Sequence, residues 1–96
     1  MPFFPRNRNA RRRNPERKVV PRDAILRAQT RWNDAMARGG FRAAVVATNA
    51  RIKRTTEAPK LFGIIAMLED FCDTDPRASA VYHELIQAAE RKLRSV

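Results

Sequence analysis

Residues 58–76 read APKLFGIIAMLEDFCDTDP. Within them Leu61, Phe62, Ile64, Ile65, Met67, Leu68, Phe71 and Cys72 recur densely enough to cover most of a helix's circumference. Pro59 suits the first turn of that helix, and Asp73-Thr74-Asp75-Pro76 forms the turn that ends it. A helix apolar all round is a buried one. In a chain of 96 residues one helix is not easily covered on every side. The surplus therefore predicts a homodimer, with Trp32, Leu61, Phe62, Ile65, Leu68 and Phe71 forming the core and interface. Gly63 is the place for a close helix approach, and Cys72 is expected as a small buried hydrophobe rather than a reactive thiol.

Working outward, three more helices follow. Asp75 and Pro76 start a last helix running to about Arg94, with Val81, Tyr82, Leu85, Ile86, Ala89 and Leu93 inward and His83 at the surface. Upstream, Gly39-Gly40 separates a helix over about 23–38 from one over about 41–57. The first carries Ile25, Gln29, Trp32 and Met36 on one face, with Leu26 alongside and Asp23 as its N-cap. Trp32 is read as core rather than as a base-stacking platform. Arg27, Arg31 and Arg38 fall on another stripe, where Asp34 can pair with Arg31 or Arg38. The second places Phe41, Val45, Thr48 and Ile52 inward with Ala44, and Arg42, Asn49 and Lys53 on another face flanked by Arg51 and Arg54. A two-residue link makes these helices antiparallel neighbours. The fold class is all-α: a helical hairpin plus two further helices, expected as a dimeric bundle.

Charge is distributed unevenly. The chain carries 20 Lys and Arg against 10 Asp and Glu, a net charge of +10, and most of the bases are arginines. Residues 1–22 combine Arg6, Arg8, Arg11, Arg12, Arg13, Arg17, Lys18 and Arg22 with Pro2, Pro5, Pro15 and Pro21, and Glu16 is their only acid. Self-repulsion and a lack of large apolar residues between Arg6 and Lys18 predict an arm that is disordered when free. Residues 23–96 are read as one helical domain. Guanidinium forks can bond two phosphate oxygens at once, so this excess suits a polyanion. Phe3 and Phe4 could stack on bases or dock on the protein's own surface. The expected RNA contacts are Arg11, Arg12 and Arg13 from the arm and Arg27, Arg31, Arg38, Arg42, Asn49, Arg51, Lys53, Arg54 and Thr56 from the two basic helices. Together those helices would form one basic ridge about 25 Å long.

Much is excluded. One cysteine and one histidine cannot build a disulfide or a His-rich metal site. There is no Gly-rich phosphate loop, HExxH, CxxC or Gly-x-Ser-x-Gly pattern. The cluster Glu69, Asp70, Asp73 and Asp75 lacks the pattern of a calcium loop and reads as helix-end chemistry. No catalytic residue, cofactor, metal or small-molecule substrate is expected. No apolar run reaches the roughly 18 residues of a membrane span, and MPFFPRNRN has no signal-peptide apolar region. The expected location is therefore the cytoplasm, or the nucleus by virtue of the basic arm, with no membrane partner.

Residues 49–60, NARIKRTTEAPK, run from basic helix through Lys/Arg and Thr into a proline, and an apolar stretch and a charged last helix follow. This layout, over roughly residues 24–94, resembles that of the nodavirus double-stranded-RNA-binding silencing suppressors. Those proteins are all-helical, and a long hairpin dimerises and lies along an RNA duplex. The resemblance implies that Arg42, Asn49, Lys53, Arg54 and Thr56 face RNA. The arginine-rich arm is not part of that pattern. Pro59-Lys60-Leu61-Phe62, with the apolar helix and Phe71 after it, also resembles the central helix of flavivirus-type core proteins, which are basic helical dimers with a disordered arm. The expectation is a sequence-independent RNA-binding protein that sequesters double-stranded RNA as a viral suppressor of silencing. The alternative is a capsid or nucleocapsid protein packaging RNA through its arm.

Overall fold

The computed structural model of the chain describes residues 20–96, and they are all-helical with no strand. Helix α1 spans Arg22–Arg54, α2 Ala58–Thr74 and α3 Ser79–Ser95, and a 3-10 turn, Pro76–Ala78, leads into α3. The arm expected over residues 1–22 lies outside the described residues except for its last three.

Helix α1 is not one straight rod. Gly40 has φ 80° and ψ −166°, outside helical space, and divides it into rods of residues 22–39 and 41–54. L-residues reach such a φ only with strain, so glycine is the residue for this break. The chain turns back there: Ala24, Arg27 and Arg31 of the first rod line the same cavity as Arg51 of the second. Four rings hold the bend closed. Trp32 and Phe41, one from each rod, lie 5.9 Å apart at their centroids, and Phe71 of α2 and Tyr82 of α3 complete the cluster at 5.0–6.0 Å. Edge and tilted contacts of this kind add about 0.5–1.5 kcal/mol each beyond burial.

Helix α2 is the central element. Leu61, Ile64, Met67 and Leu68 are fully buried, with Ile65 and Gly63 beside them. One chain supplies the cover: Ala28, Trp32, Ala35, Ala44 and Ile52 from α1, and Tyr82, Leu85, Ile86 and Ala89 from α3. The apolar surplus on which the homodimer was expected is thus buried within a single chain, with Phe62 and Phe71 half-buried. The physical reason is the length of α1, which runs for 33 residues and bends, so that its two rods cover two flanks of α2.

The inward face of the first rod differs from the expected one. Ala28, Trp32 and Ala35 point into the core, Ile25 is half-buried, and Leu26 and Met36 are 48% and 40% exposed. The cause is close packing: a Cβ built on Gly63 would lie 2.7 Å from the backbone and side chain of Ala24. At that separation only a small side chain fits opposite Gly63, while further along the rod Trp32 is taken up by the ring cluster. Helix starts shift as well. Pro21, not Asp23, holds the N-cap position of α1, and Asp23 sits in the first turn. Asp75 makes no capping bond through its side chain but accepts a hydrogen bond from the Tyr82 hydroxyl at 3.0 Å. Burial first, then that bond and the carboxylate's charge, push the Tyr82 phenol up to about 12.

Candidate nucleic-acid interface

The segment 55–57 joins the end of α1 to the start of α2 and brings three helix ends together. At the end of α1, the Arg51 carbonyl accepts from the Thr55 N–H at 2.9 Å and from Thr55 Oγ1 at 2.6 Å. Thr55 is thereby committed to capping, while Thr56 stays exposed. At the start of α2, the Glu57 carbonyl accepts from the N–H groups of Lys60 and Leu61, and Pro59 stands in the first turn, where its missing N–H costs nothing. Pro21 and Ala24 at the start of α1 complete the ring of ends.

Two adjoining cavities occupy this junction. One, of about 230 Å³, is lined by Arg27, Arg31, Arg51, Lys60 and Glu57, with Pro21, Ala24 and Pro59 as its apolar wall. The other, of about 220 Å³, shares Arg31, Arg51, Lys60 and Glu57 and adds Arg54, Thr55 and Thr56. Five cations therefore face a single carboxylate. That carboxylate pairs with Lys60 at 3.5 Å. Among the described residues, none of Arg27, Arg31, Arg51 and Arg54 has a carboxylate within 4.0 Å. Asp34 pairs with neither Arg31 nor Arg38, contrary to expectation. Partial burial, and then the charges of Arg31 and Arg54, lower the pKa of Arg51 from its ordinary value. A guanidinium pressed in this way is short of anions.

The expected RNA-binding residues fall into separate groups. Arg27, Arg31, Arg51, Arg54 and Thr56 are brought together in the cleft. Asn49 and Lys53 instead line a hollow against α3, with Arg91, Lys92 and Ser95, and the Lys92 ammonium donates to the Lys53 carbonyl at 2.6 Å. Arg38 and Arg42 are exposed on either side of the Gly40 bend, at the opposite end of the rods from the cleft. Arg11, Arg12 and Arg13 lie outside the described residues. The single ridge expected along two outer faces is therefore split. Helical phase is the reason: Arg42, Asn49 and Lys53 occupy one side of the second rod, and Arg51 and Arg54 the other. Lys60 was missed. Its signal was its place in the first turn of α2, three residues after Glu57 and just past the connection that holds Thr56.

Among the described residues the aromatic rings mostly pack on one another, and Phe41, 37% exposed, stands at the edge of their cluster. Trp32 and Tyr82 are buried, and Phe41 and Phe71 are engaged with them in the ring cluster. Cys72 Sγ lies 4.0 Å from His83 Nε2 at the far end of α2, and burial, with Asp73 and Glu69 nearby, raises its thiol pKa. Such a thiol is a poor nucleophile. Among the described residues there is no group of three or more metal-ligating side chains, and no helix is long and apolar enough to cross a membrane. Comparison of the chain with protein-family models, with curated proteins and with solved structures finds no match.

Proposed function

We propose that the protein binds the phosphate backbone of RNA without regard to sequence, through the cleft of Arg27, Arg31, Arg51, Arg54 and Lys60, with the arginine-rich arm as a second contact. The observation that carries this reading is the gathering of four arginines around two cavities whose one lining carboxylate, Glu57, pairs with Lys60, none of the four having a carboxylate within 4.0 Å among the described residues. Each phosphate they neutralise releases counterions and adds about −0.9 to the slope of log affinity against log salt. Four such contacts weaken binding about a hundredfold between 50 and 200 mM salt.

Duplex RNA is the favoured target. Unpaired strands are held largely by stacking on exposed aromatic rings, and among the described residues Trp32, Phe41, Phe71 and Tyr82 pack on one another, Phe41 alone reaching 37% exposure. A cationic array fixed by three helix ends suits a backbone whose phosphates are themselves fixed. Sequestration of duplex RNA, as by a suppressor of silencing, is the role that this preference and the character of residues 49–60 support. The packaging alternative has its own support. Pro21, near the end of the basic arm in the sequence, lines the same cavity as the arginines.

The test is fluorescence anisotropy with duplex RNA, single-stranded RNA and duplex DNA at two salt concentrations, on the full chain and on a chain lacking residues 1–19. Tightest binding to duplex RNA, retained without the arm, supports sequestration. Loss of most RNA affinity on arm deletion supports packaging. No binding to any RNA at low salt refutes the proposal.

A further inference from the structure

The proposed function does not distinguish a phosphate inside a strand from one at its end, but the shape of the cleft does. We infer that the more enclosed cavity, lined by Arg27, Arg31, Arg51 and Lys60, holds the terminal phosphate of an RNA strand, an inference that rests on the RNA-binding reading above.

Size is the first argument. A cavity of about 230 Å³ matches a phosphate with part of its sugar, not the flank of a duplex about 20 Å across. A duplex can only lie over the mouth of the cavity, and only a strand end can enter it. The adjoining cavity of about 220 Å³, which shares Arg31, Arg51 and Lys60, then meets the next phosphate along, with Arg54 and Thr56 on its far side.

Charge is the second argument. An internal phosphodiester carries one negative charge. A terminal monoester carries about −1.5 to −2 at pH 7, because its second pKa is near 6. Three arginines, none with a carboxylate within 4.0 Å among the described residues, converge on the enclosed cavity; its one lining carboxylate, Glu57, is paired with Lys60 at 3.5 Å, and Arg51 is crowded by Arg31 and Arg54. A dianion relieves that crowding more fully than a diester, and it offers more oxygens for bidentate arginine bonds. The helix ends add to this. The first turns of α1, at Pro21 and Ala24, and of α2, at Glu57 to Lys60, line the cavity with the positive ends of their dipoles. The opposing carbonyl end of α1 is blunted where Thr55 bonds twice to the Arg51 carbonyl.

The experiment compares one RNA duplex with 5′-phosphate ends and with 5′-hydroxyl ends, by anisotropy at fixed salt. The phosphorylated duplex should bind about tenfold tighter, the worth of one charge-assisted contact. That ratio should shrink as pH falls through about 6, where the monoester gains a proton. Arg27→Ala, at a residue of the enclosed cavity on an exposed flank of α1, should bring the ratio towards one. Arg77→Ala, on the 3-10 turn outside the cleft, should leave it intact. Equal binding of the two duplexes, with a steep salt dependence retained, overturns the strand-end inference and leaves the RNA-binding reading standing. Failure to bind either duplex overturns that reading itself. If inorganic phosphate raises the melting temperature of the protein while the two duplexes bind alike, the cavity belongs to a free phosphate, and the strand-end inference is overturned.

Discussion

Substituting Gly63 tests the packing on which the cleft depends. A methyl group at this position would sit 2.7 Å from the carbonyl carbon, carbonyl oxygen and Cβ of Ala24, whereas ordinary contact begins at 3.4 Å. The start of α1 must then retreat from α2 by about 0.7 Å or more, a helix movement rather than a rotamer change, since two of the three obstructing atoms are backbone. Overpacking of this kind costs about 1–3 kcal/mol. Working against it, Gly→Ala inside a helix otherwise gains about 0.5–1 kcal/mol. The two effects have opposite signs, which makes the experiment decisive. Gly63→Ala is expected to destabilise by about 1–2 kcal/mol and to lower the melting temperature by about 5–10 °C, followed by circular dichroism at 222 nm. Urea titration should show a lower midpoint at unchanged slope. Because Ala24 walls the cleft beside Arg27 and Arg31, duplex-RNA affinity should weaken in the same variant. A Gly63→Ala protein as stable as the wild type, or more so, would refute the close approach of α1 to α2.

Arg31→Glu places an acid where both cavities meet; it should weaken binding to all RNA sequences alike and reduce the salt slope by about one for each phosphate no longer neutralised, and a changed sequence preference at unchanged slope would count against the cleft. Gly40→Ala puts a Cβ on a residue with φ 80°; nothing lies within 4 Å of it, so the expected cost of about 1–2 kcal/mol is backbone strain alone, seen as a lower urea midpoint. The Tyr82 phenol, at about 12 in the folded chain against 10 unfolded, binds its proton more tightly when folded, so its contribution is complete below pH 10 and is lost as pH rises from 10 towards 12. Tyr82→Phe should flatten that alkaline loss in a pH series of denaturation midpoints, while removing about 1 kcal/mol at neutral pH with the bond to Asp75.

The central helix was plain in the sequence because residues 61–72 allow no other reading, and Gly39-Gly40 marked the break correctly. The inward face of α3 was equally legible, since Tyr82, Leu85, Ile86 and Ala89 follow one helical stripe. The phase of the first rod was not. Ile25, Leu26 and Met36 outweigh Ala28 and Ala35 in hydrophobicity, yet the alanines are buried, on a face that α2 meets closely where Gly63 abuts Ala24. That distance is a tertiary quantity with only Gly63 as its local trace. How much of α2 a bent α1 can cover is likewise not written in any short stretch of residues. At the candidate site the cations were legible and their grouping was not. Arg31 and Arg51 are twenty positions apart, and only the bend makes them neighbours.

Without the positive φ at Gly40, a continuous helix would hold Arg31 and Arg51 about 30 Å apart, beyond the roughly 10 Å screening length of 0.1 M salt. The bend brings their like charges together, and folding must do work against that repulsion. Two consequences of opposite sign follow from one dihedral angle. Added electrolyte shields the arginines from each other and should make the isolated protein harder to melt, while it loosens the protein's grip on a polyanion. Conversely, any polyanion that settles among these arginines relieves the repulsion and stabilises the native state by mass action.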